Sequence, residues 1–131
     1  VRHVMVVDDD DDVRAVITDA FEADGWKVTE ASGGARAIAL LRAQPLPDVV
    51  VLDLVMPGVD GLAVLTDLRE SCGPEGPPVV VLSTGRALLT NRLAEGLGAD
   101  DCLTKPVDPA DLRDRCAALA ARTDGSEYRF G

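Results

Sequence analysis

The sequence predicts a doubly wound α/β domain: a five-stranded parallel sheet, ordered 2-1-3-4-5, with helices on both faces. Three observations predict it. Apolar, strand-like runs alternate with helix-period patterns along the whole 131 residues. The runs Val-Val-Val-Leu at 49–52 and at 79–82 are continuously apolar, as strands buried on both faces must be. The second run, Lys-Val-Thr-Glu at 27–30, is half polar and suits a sheet edge; with right-handed crossovers this gives the stated order.

Taken in order, the first strand is the run 4–7, Val-Met-Val-Val. Residues 12–24 place Val13, Val16, Ile17, Ala20 and Phe21 on one helical face, and Gly25 follows as a stop. After the edge strand, Ser32 is expected to cap a helix carrying Ala35, Ile38, Ala39 and Leu41. Strand 49–53 leads to a loop in which Asp60 caps a third helix with Leu62, Leu65 and Leu68. The stretch Gly-Pro-Glu-Gly-Pro-Pro at 73–78 is a breaker. Strand 79–83, a helix over 87–97 ended by Gly98, and strand 101–104 follow. Asp108, Pro109 and Asp111 then start a last helix over 108–122 with a cap, a proline at the first helical position and an acid in the first turn. Residues 1–122 are read as one domain, and 123–131, which lack a helical period, as a linker or the start of an output domain.

Composition narrows the function classes. A mean hydropathy of +0.10 with 47% hydrophobic residues excludes a disordered chain. No apolar run approaches the ~18 residues of a membrane span. No secretory signal pattern opens the chain, and the first residue, Val1, reads as a trimmed start or a fragment. A net charge of −10 and a pI near 4.4 argue against nucleic-acid binding by these residues. Cys72, Cys102 and Cys116 are odd in number and form no CxxC pair, which favours reduced thiols in a cytoplasmic protein over disulfides or a zinc site with His3. Phe21, Trp26, Met5 and Met56 are read as packing residues, and His3 as a strand-edge side chain.

The chemistry lies at the strand ends. Asp8 and Asp9 follow the first run, Asp53 closes the third, Ser83 the fourth and Lys105 the fifth. In a sheet ordered 2-1-3-4-5 the switch point lies between strands 1 and 3, so Asp8, Asp9 and Asp53 flank it. Three carboxylates brought together there need a cation, and hard oxygen ligands select Mg²⁺ or Mn²⁺. A backbone carbonyl in the loop after Asp53 can add a further oxygen. Lys105 offsets the charge that develops in phosphoryl transfer, Asp53 is a competent nucleophile, and Ser83 can donate to a phosphate oxygen. Asp10, Asp11 and Asp12 are read as a solvated acidic turn at a helix start.

At these residues the chain resembles a response-regulator receiver domain of two-component signalling. The match runs over about residues 3–121 and includes VVDD (6–9), DLVMPGVDG (53–61), the strand ending in Ser83, and GADDCLTKP (98–106). The resemblance implies a flavodoxin-like (βα)5 fold that accepts a phosphoryl group from a sensor histidine kinase. It implies Asp53 as phosphoacceptor, Asp9 as a direct Mg²⁺ ligand, Asp8 as a ligand through water, and the Val55 carbonyl as the third protein contact. Ser83 and Lys105 would bind the phosphoryl group, with a cis peptide between Lys105 and Pro106. Such a protein catalyses its own phosphorylation and dephosphorylation and is not a dedicated enzyme. Its switching surface, formed by helix 4, strand 5 and helix 5, would control an output domain or a partner and could support a homodimer. The tail 126–131, Ser-Glu-Tyr-Arg-Phe-Gly, resembles the opening of the output domain in winged-helix transcriptional regulators, so any DNA contact would lie outside this chain.

Two positions depart from the family pattern. Cys102 stands where Tyr or Phe is frequent, so the usual aromatic switch is weaker or replaced. Thr84 stands where Ala or Gly is common and is expected to restrict access to the phosphorylation pocket. Two rival readings fit parts of the same pattern. A phosphohydrolase resembling the haloacid dehalogenase class would use Asp8 as nucleophile with Asp10, Ser83, Lys105 and the pair Asp100-Asp101; it leaves DLVMPGVDG unexplained and has no room for a cap. A receiver-like binding module would keep the fold without being phosphorylated.

Overall fold

The structure is a computed structural model that describes residues 1–43, 45–84 and 88–123. Its elements are β1 (His3–Val7), α1 (Asp11–Ala23), β2 (Lys27–Ala31), α2 (Gly34–Ala43), β3 (Val49–Asp53), α3 (Gly61–Cys72), a 3-10 turn (Gly73–Glu75), β4 (Val79–Ser83), α4 (Leu88–Gly96), β5 (Asp101–Thr104) and α5 (Pro109–Thr123). The five strands form one sheet in the order β2-β1-β3-β4-β5, and every pairing is parallel.

Period-2 alternation divides the core between the two faces of the sheet. Met5, Val7, Val50, Leu52, Val79 and Val81 face Ala37 and Leu41 of α2, Val64, Leu65 and Leu68 of α3, and Ala94 of α4. Val4, Val6, Val49, Val51, Val80 and Leu82 face Ile17 and Phe21 of α1, and Leu112, Cys116 and Leu119 of α5. Both central strands are buried at all five positions, which explains why their sequences do not alternate. Phe21 meets Trp26 edge-on at 5.0 Å between ring centres. Each such buried ring or aliphatic side chain stabilises the fold by about 1.5–3 kcal/mol. β2 is an edge strand with exposed Lys27 and Glu30, charges that discourage pairing with another chain.

The helix caps follow the sequence. Asp10 accepts from the amides of Asp12 and Val13, so one of the acids read as a solvated turn has a defined capping role, and Asp11 and Asp12 sit in the favourable first turn. Asp60 accepts from Ala63 N at 3.0 Å. Asp108 accepts from Ala110 N at 3.0 Å through its side chain and from Leu112 N through its carbonyl. Gly25 and Gly98 end their helices with φ of 85° and 101°, a region other residues adopt only with strain. The Lys105–Pro106 peptide is cis.

Several local expectations are corrected. The helical face that carries Val16 with Ile17 and Phe21 is not buried throughout: Val16 is 55% exposed, and α1 docks through Ile17, Thr18 and Phe21. Val16 instead borders a cleft of about 460 Å³ shared with Val13, Pro106, Val107 and Pro109. In α2 the buried residues are Gly34, Ala37 and Leu41, whereas Ala35 and Ala39 face outward. The helix phase is set by Gly34, where a Cβ would lie 2.0 Å from the Val59 carbonyl oxygen, so only glycine lets α2 approach that loop. α2 begins at Gly34, with the Gly33 carbonyl accepting from Ala37 N, so the helix starts two residues beyond Ser32. α4 starts at Leu88; Ala87, expected at its first turn, lies outside the described residues, as does the tail 124–131, and α5 takes in Thr123.

Candidate functional site

Strand order brings the predicted residues to one place. β1 and β3 are neighbours at the centre of the sheet, so Asp8, one residue past β1, and Asp53, the last residue of β3, sit side by side at the carboxyl edge. One carboxylate oxygen each from Asp8, Asp9 and Asp53 lies within 4.8 Å of the others. Asp8 and Asp53 are buried, at 0% and 4% exposure, whereas Asp9 faces solvent. Ser83 ends β4 and is 1% exposed. Lys105 follows β5; its amide donates to the Ser83 carbonyl at 2.7 Å, and its side chain reaches past β4 to the acids. The ammonium lies 2.9 Å from Asp8 Oδ2 and 3.3 Å from Asp53 Oδ2.

Backbone amides fix the acids. Asp10 N donates to Asp8 Oδ1 at 2.9 Å, and Val55 N to Asp53 Oδ1 at 3.2 Å. Gly61 was legible only as part of a motif, yet it is what allows α3 to start against the end of β3: a Cβ there would lie 2.3 Å from the Asp53 carbonyl oxygen. Val55 occupies the exposed turn directly after the buried Leu54, with its own side chain 62% exposed.

The electrostatics follow from burial and crowding. Burial, reinforced by the negative charge of Asp8, pushes the Asp53 carboxyl from 3.8 up to about 6; the Lys105 charge and the Val55 amide act against this. Burial alone would lower the Lys105 ammonium, but its contacts with Asp8 and Asp53 hold it above the usual lysine value. Two buried acids sharing one lysine are thus short of positive charge. Three hard oxygen donors at that spacing fit a divalent cation of the Mg²⁺ or Mn²⁺ kind.

The Ser83 hydroxyl is buried and has no hydrogen-bond partner among the described residues. A buried hydroxyl left unpaired costs about 1–3 kcal/mol, a cost that an acceptor oxygen entering the site would offset. Thr84, next in the chain, is exposed beyond the strand end. Cys102 is half-buried against the core under α3 and α4, and burial, then the charges of Glu95 and Asp101, push its thiol up. Arg14, which the sequence reading passed over, donates to the Asp8 carbonyl from α1 at 2.8 Å. Its only sequence signal is the i,i+3 spacing from Asp11; its bond to Glu30 depends on β2 lying beside β1.

The sequence matches the response regulator receiver domain over residues 4–117. It is 41% identical over 122 residues to the probable transcriptional regulatory protein TcrX of Mycobacterium tuberculosis, covering 92% of this chain and 50% of TcrX. It is 40% identical over 126 residues to the response regulator MprA of a Mycobacterium species, covering 95% of this chain and 53% of MprA. The chain therefore spans about half the length of these relatives. Among solved structures, the receiver domain of the Francisella response regulator 1452 matches with a TM-score of 0.84 at 33% identity, covering 94% of this chain and 99% of that one. A response regulator receiver domain protein from Clostridium thermocellum matches with a TM-score of 0.87 at 26% identity, covering 95% and 98%. Fold, strand-end chemistry and sequence agree: this chain belongs to the response regulator receiver domain family of two-component signalling.

Proposed function

We propose that Asp53 accepts a phosphoryl group from the phosphohistidine of a sensor histidine kinase, or from a small acyl phosphate. An Asp53 carboxylate oxygen forms a bond to phosphorus as the bond from phosphorus to the donor breaks, and the electron pair leaves with the donor. The observation that carries this reading is a buried nucleophile flanked by an unpartnered hydroxyl, Ser83, and by an ammonium, Lys105, that it shares with Asp8. Ser83 would donate to one phosphoryl oxygen, and Lys105 would pair with another. Asp8, Asp9, Asp53 and the Val55 carbonyl would hold Mg²⁺ or Mn²⁺. The bound ion would supply positive charge that screens the carboxylates from the incoming phosphoryl oxygens. Thr84 would limit access to the pocket and Cys102 would replace the frequent aromatic switch residue.

The added charge would draw Ser83 and Lys105 inward and bias the surface of α4, β5 and α5, which controls an output domain or partner, with a homodimer as one form of that contact. Exposed Leu93 on α4, Leu97 in the turn after it and the Asp101–Arg115 ion pair between β5 and α5 suit such a surface. Residues 1–122 would form the receiver, and 123–131 the linker to an output domain. TcrX is a probable transcriptional regulator, and transcription is the output we propose here, with any DNA contact made outside these residues. The reading implies a cytoplasmic protein; no helix among the described residues is long and apolar enough to cross a membrane.

Phosphoryl uptake from acetyl phosphate by Asp53→Asn and Asp8→Asn tests the assignment. A receiver loses uptake completely in Asp53→Asn and keeps a slowed, metal-demanding uptake in Asp8→Asn. A hydrolase using Asp8 gives the reverse pattern, and a phosphorylation-independent binding module gives no uptake in any form.

A further inference from the structure

The geometry points to Arg14 as a positioning residue for metal binding: it fixes the peptide between Asp8 and Asp9 and so aims the exposed Asp9 carboxylate at the site. The inference rests on the phosphoacceptor reading above. Among the described residues, the Asp9 side chain makes no hydrogen bond or ion pair. Its carboxylate nevertheless lies within 4.8 Å of those of Asp8 and Asp53. Only the backbone can put it there. On the Asp8 side that backbone is held by three bonds: Asp8 N donates to the Ala31 carbonyl at 3.1 Å, Asp10 N donates to Asp8 Oδ1, and Arg14 Nη1 donates to the Asp8 carbonyl at 2.8 Å. The last bond fixes the plane of the Asp8–Asp9 peptide, and with it the direction in which the Asp9 side chain leaves the chain.

Arg14 is itself over-determined. Its Nε donates to Glu30 Oε1 on β2 at 3.0 Å and its Nη2 to Asp11 Oδ1 at 2.7 Å, and its side chain is only 15% exposed. One planar guanidinium thus spans three acceptors on β2, α1 and the β1–α1 turn, a geometry an ammonium cannot reproduce. It also occupies Glu30 and Asp11 with a cation of the protein's own, so those carboxylates do not compete for the ion.

Charge and geometry make opposite predictions, which allows a test. Removing a cation near three carboxylates should by itself tighten Mg²⁺ binding. Losing the hold on the Asp8–Asp9 peptide should weaken it, and supporting contacts of this kind are typically worth about 10–100-fold in metal affinity. Mg²⁺ affinity would be measured by titration calorimetry on the full chain and on Arg14→Met, Glu30→Gln and, as a control remote from the site, Arg42→Met, whose ion pair is with Asp67. The expected result is about 10-fold weaker binding in Arg14→Met, with a smaller loss in Glu30→Gln and none in Arg42→Met. Phosphorylation of Arg14→Met at saturating Mg²⁺ should fall by less than the affinity does. Unchanged or tighter Mg²⁺ binding in Arg14→Met would overturn the inference. If Arg14→Met does not fold, Arg14→Lys decides the matter, because it keeps the charge and loses the planar fork: about 10-fold weaker Mg²⁺ binding is expected, and unchanged binding would overturn the inference. Failure of the unmodified protein to bind Mg²⁺ or take up phosphate would instead overturn the phosphoacceptor reading on which this one rests.

Discussion

The Lys105 ammonium is closer to Asp8, at 2.9 Å, than to the proposed phosphoacceptor Asp53, at 3.3 Å. Lysine therefore acts as counter-ion to the acid pair as a whole, lying between β1 and β3 although its own strand is at the far side of the sheet. A divalent cation held by the same acids would compete with it for their charge. Removing the lysine should then separate two effects that a simple phosphate-binding role would combine. We expect Lys105→Met to bind Mg²⁺ a few-fold more tightly in calorimetry, while its phosphorylation rate falls by about 10²-fold, the usual cost of losing a pre-placed cationic or hydrogen-bond donor. Weaker Mg²⁺ binding would show that lysine does not compete with the ion.

Asp53 gives the metal-free protein a pH dependence of definite sign. Its carboxyl is raised in the fold from 3.8 to about 6, so the group contributes stability that is fully present below pH 3.8 and is lost as pH rises through about 6. At neutral pH the buried charge destabilises the fold, by about 2 kcal/mol once solvent at the mouth of the site is allowed for. Thermal unfolding without metal should show Asp53→Asn melting higher than the unmodified protein at about pH 7.5, with the difference vanishing toward about pH 4. The opposite ordering would mean that Lys105 outweighs burial.

Ser83 should separate stability from function. Its hydroxyl is buried without a partner among the described residues, so Ser83→Ala removes an unpaired polar group and is expected to leave the melting temperature unchanged or raise it, by up to about 1 kcal/mol of stability. Phosphoryl uptake should fall by about 10-fold or more, because a donor aimed at the transferred group is lost. A large loss of stability would indicate that the hydroxyl has a structural bond in solution.

How much of this was legible in sequence depended on whether a residue acts through its own chemistry or through a neighbour. Asp8, Asp9, Asp53, Ser83 and Lys105 each end an apolar run, and the run pattern fixed the strand order, so their convergence could be read directly. Asp60 and Asp108 were legible as caps because capping is local. The exposure of Val16 was not legible because helical period alone cannot say where the buried stripe ends, and α1 docks with Val16 at the rim of a cleft beside Pro106 and Val107. Gly34 and Arg14 carry no such signal, and Gly61 is legible only within the DLVMPGVDG motif, for a different reason. Each acts on backbone atoms of a separate segment, Val59, Asp53 and Asp8 respectively, and no spacing rule announces such contacts.

Gly61 supplies a stringent check of that last point. Its added Cβ would fall 2.3 Å from the Asp53 carbonyl oxygen and 2.6 Å from Leu54 Cα, both backbone atoms that cannot swing aside. Gly61→Ala should therefore cost more than about 3 kcal/mol in denaturant unfolding, well beyond the ~1 kcal/mol typical of a point substitution. It should weaken Mg²⁺ binding as well, because the end of β3 must shift. A mild effect would show that the loop between β3 and α3 yields easily.

Thr84 tests access to the site. It is exposed beside buried Ser83, at the rim where a donor or a water would approach. We expect Thr84→Ala to accept phosphate from acetyl phosphate faster and to lose it faster, with both rates moving in the same direction. Equal rates in the two proteins would remove Thr84 from the account.

The central claim is that the phosphoryl group sits on Asp53. After incubation with acetyl phosphate and Mg²⁺, borohydride reduction converts an aspartyl-phosphate to homoserine, and tryptic peptides then locate it, since Asp53 lies in the fragment 43–69 and Asp8 and Asp9 in the fragment 3–14. Homoserine is expected at position 53, dependent on both donor and metal and absent from Asp53→Asn. Homoserine at position 8 or 9, or no conversion in a protein that binds Mg²⁺ and is fully folded, would contradict it.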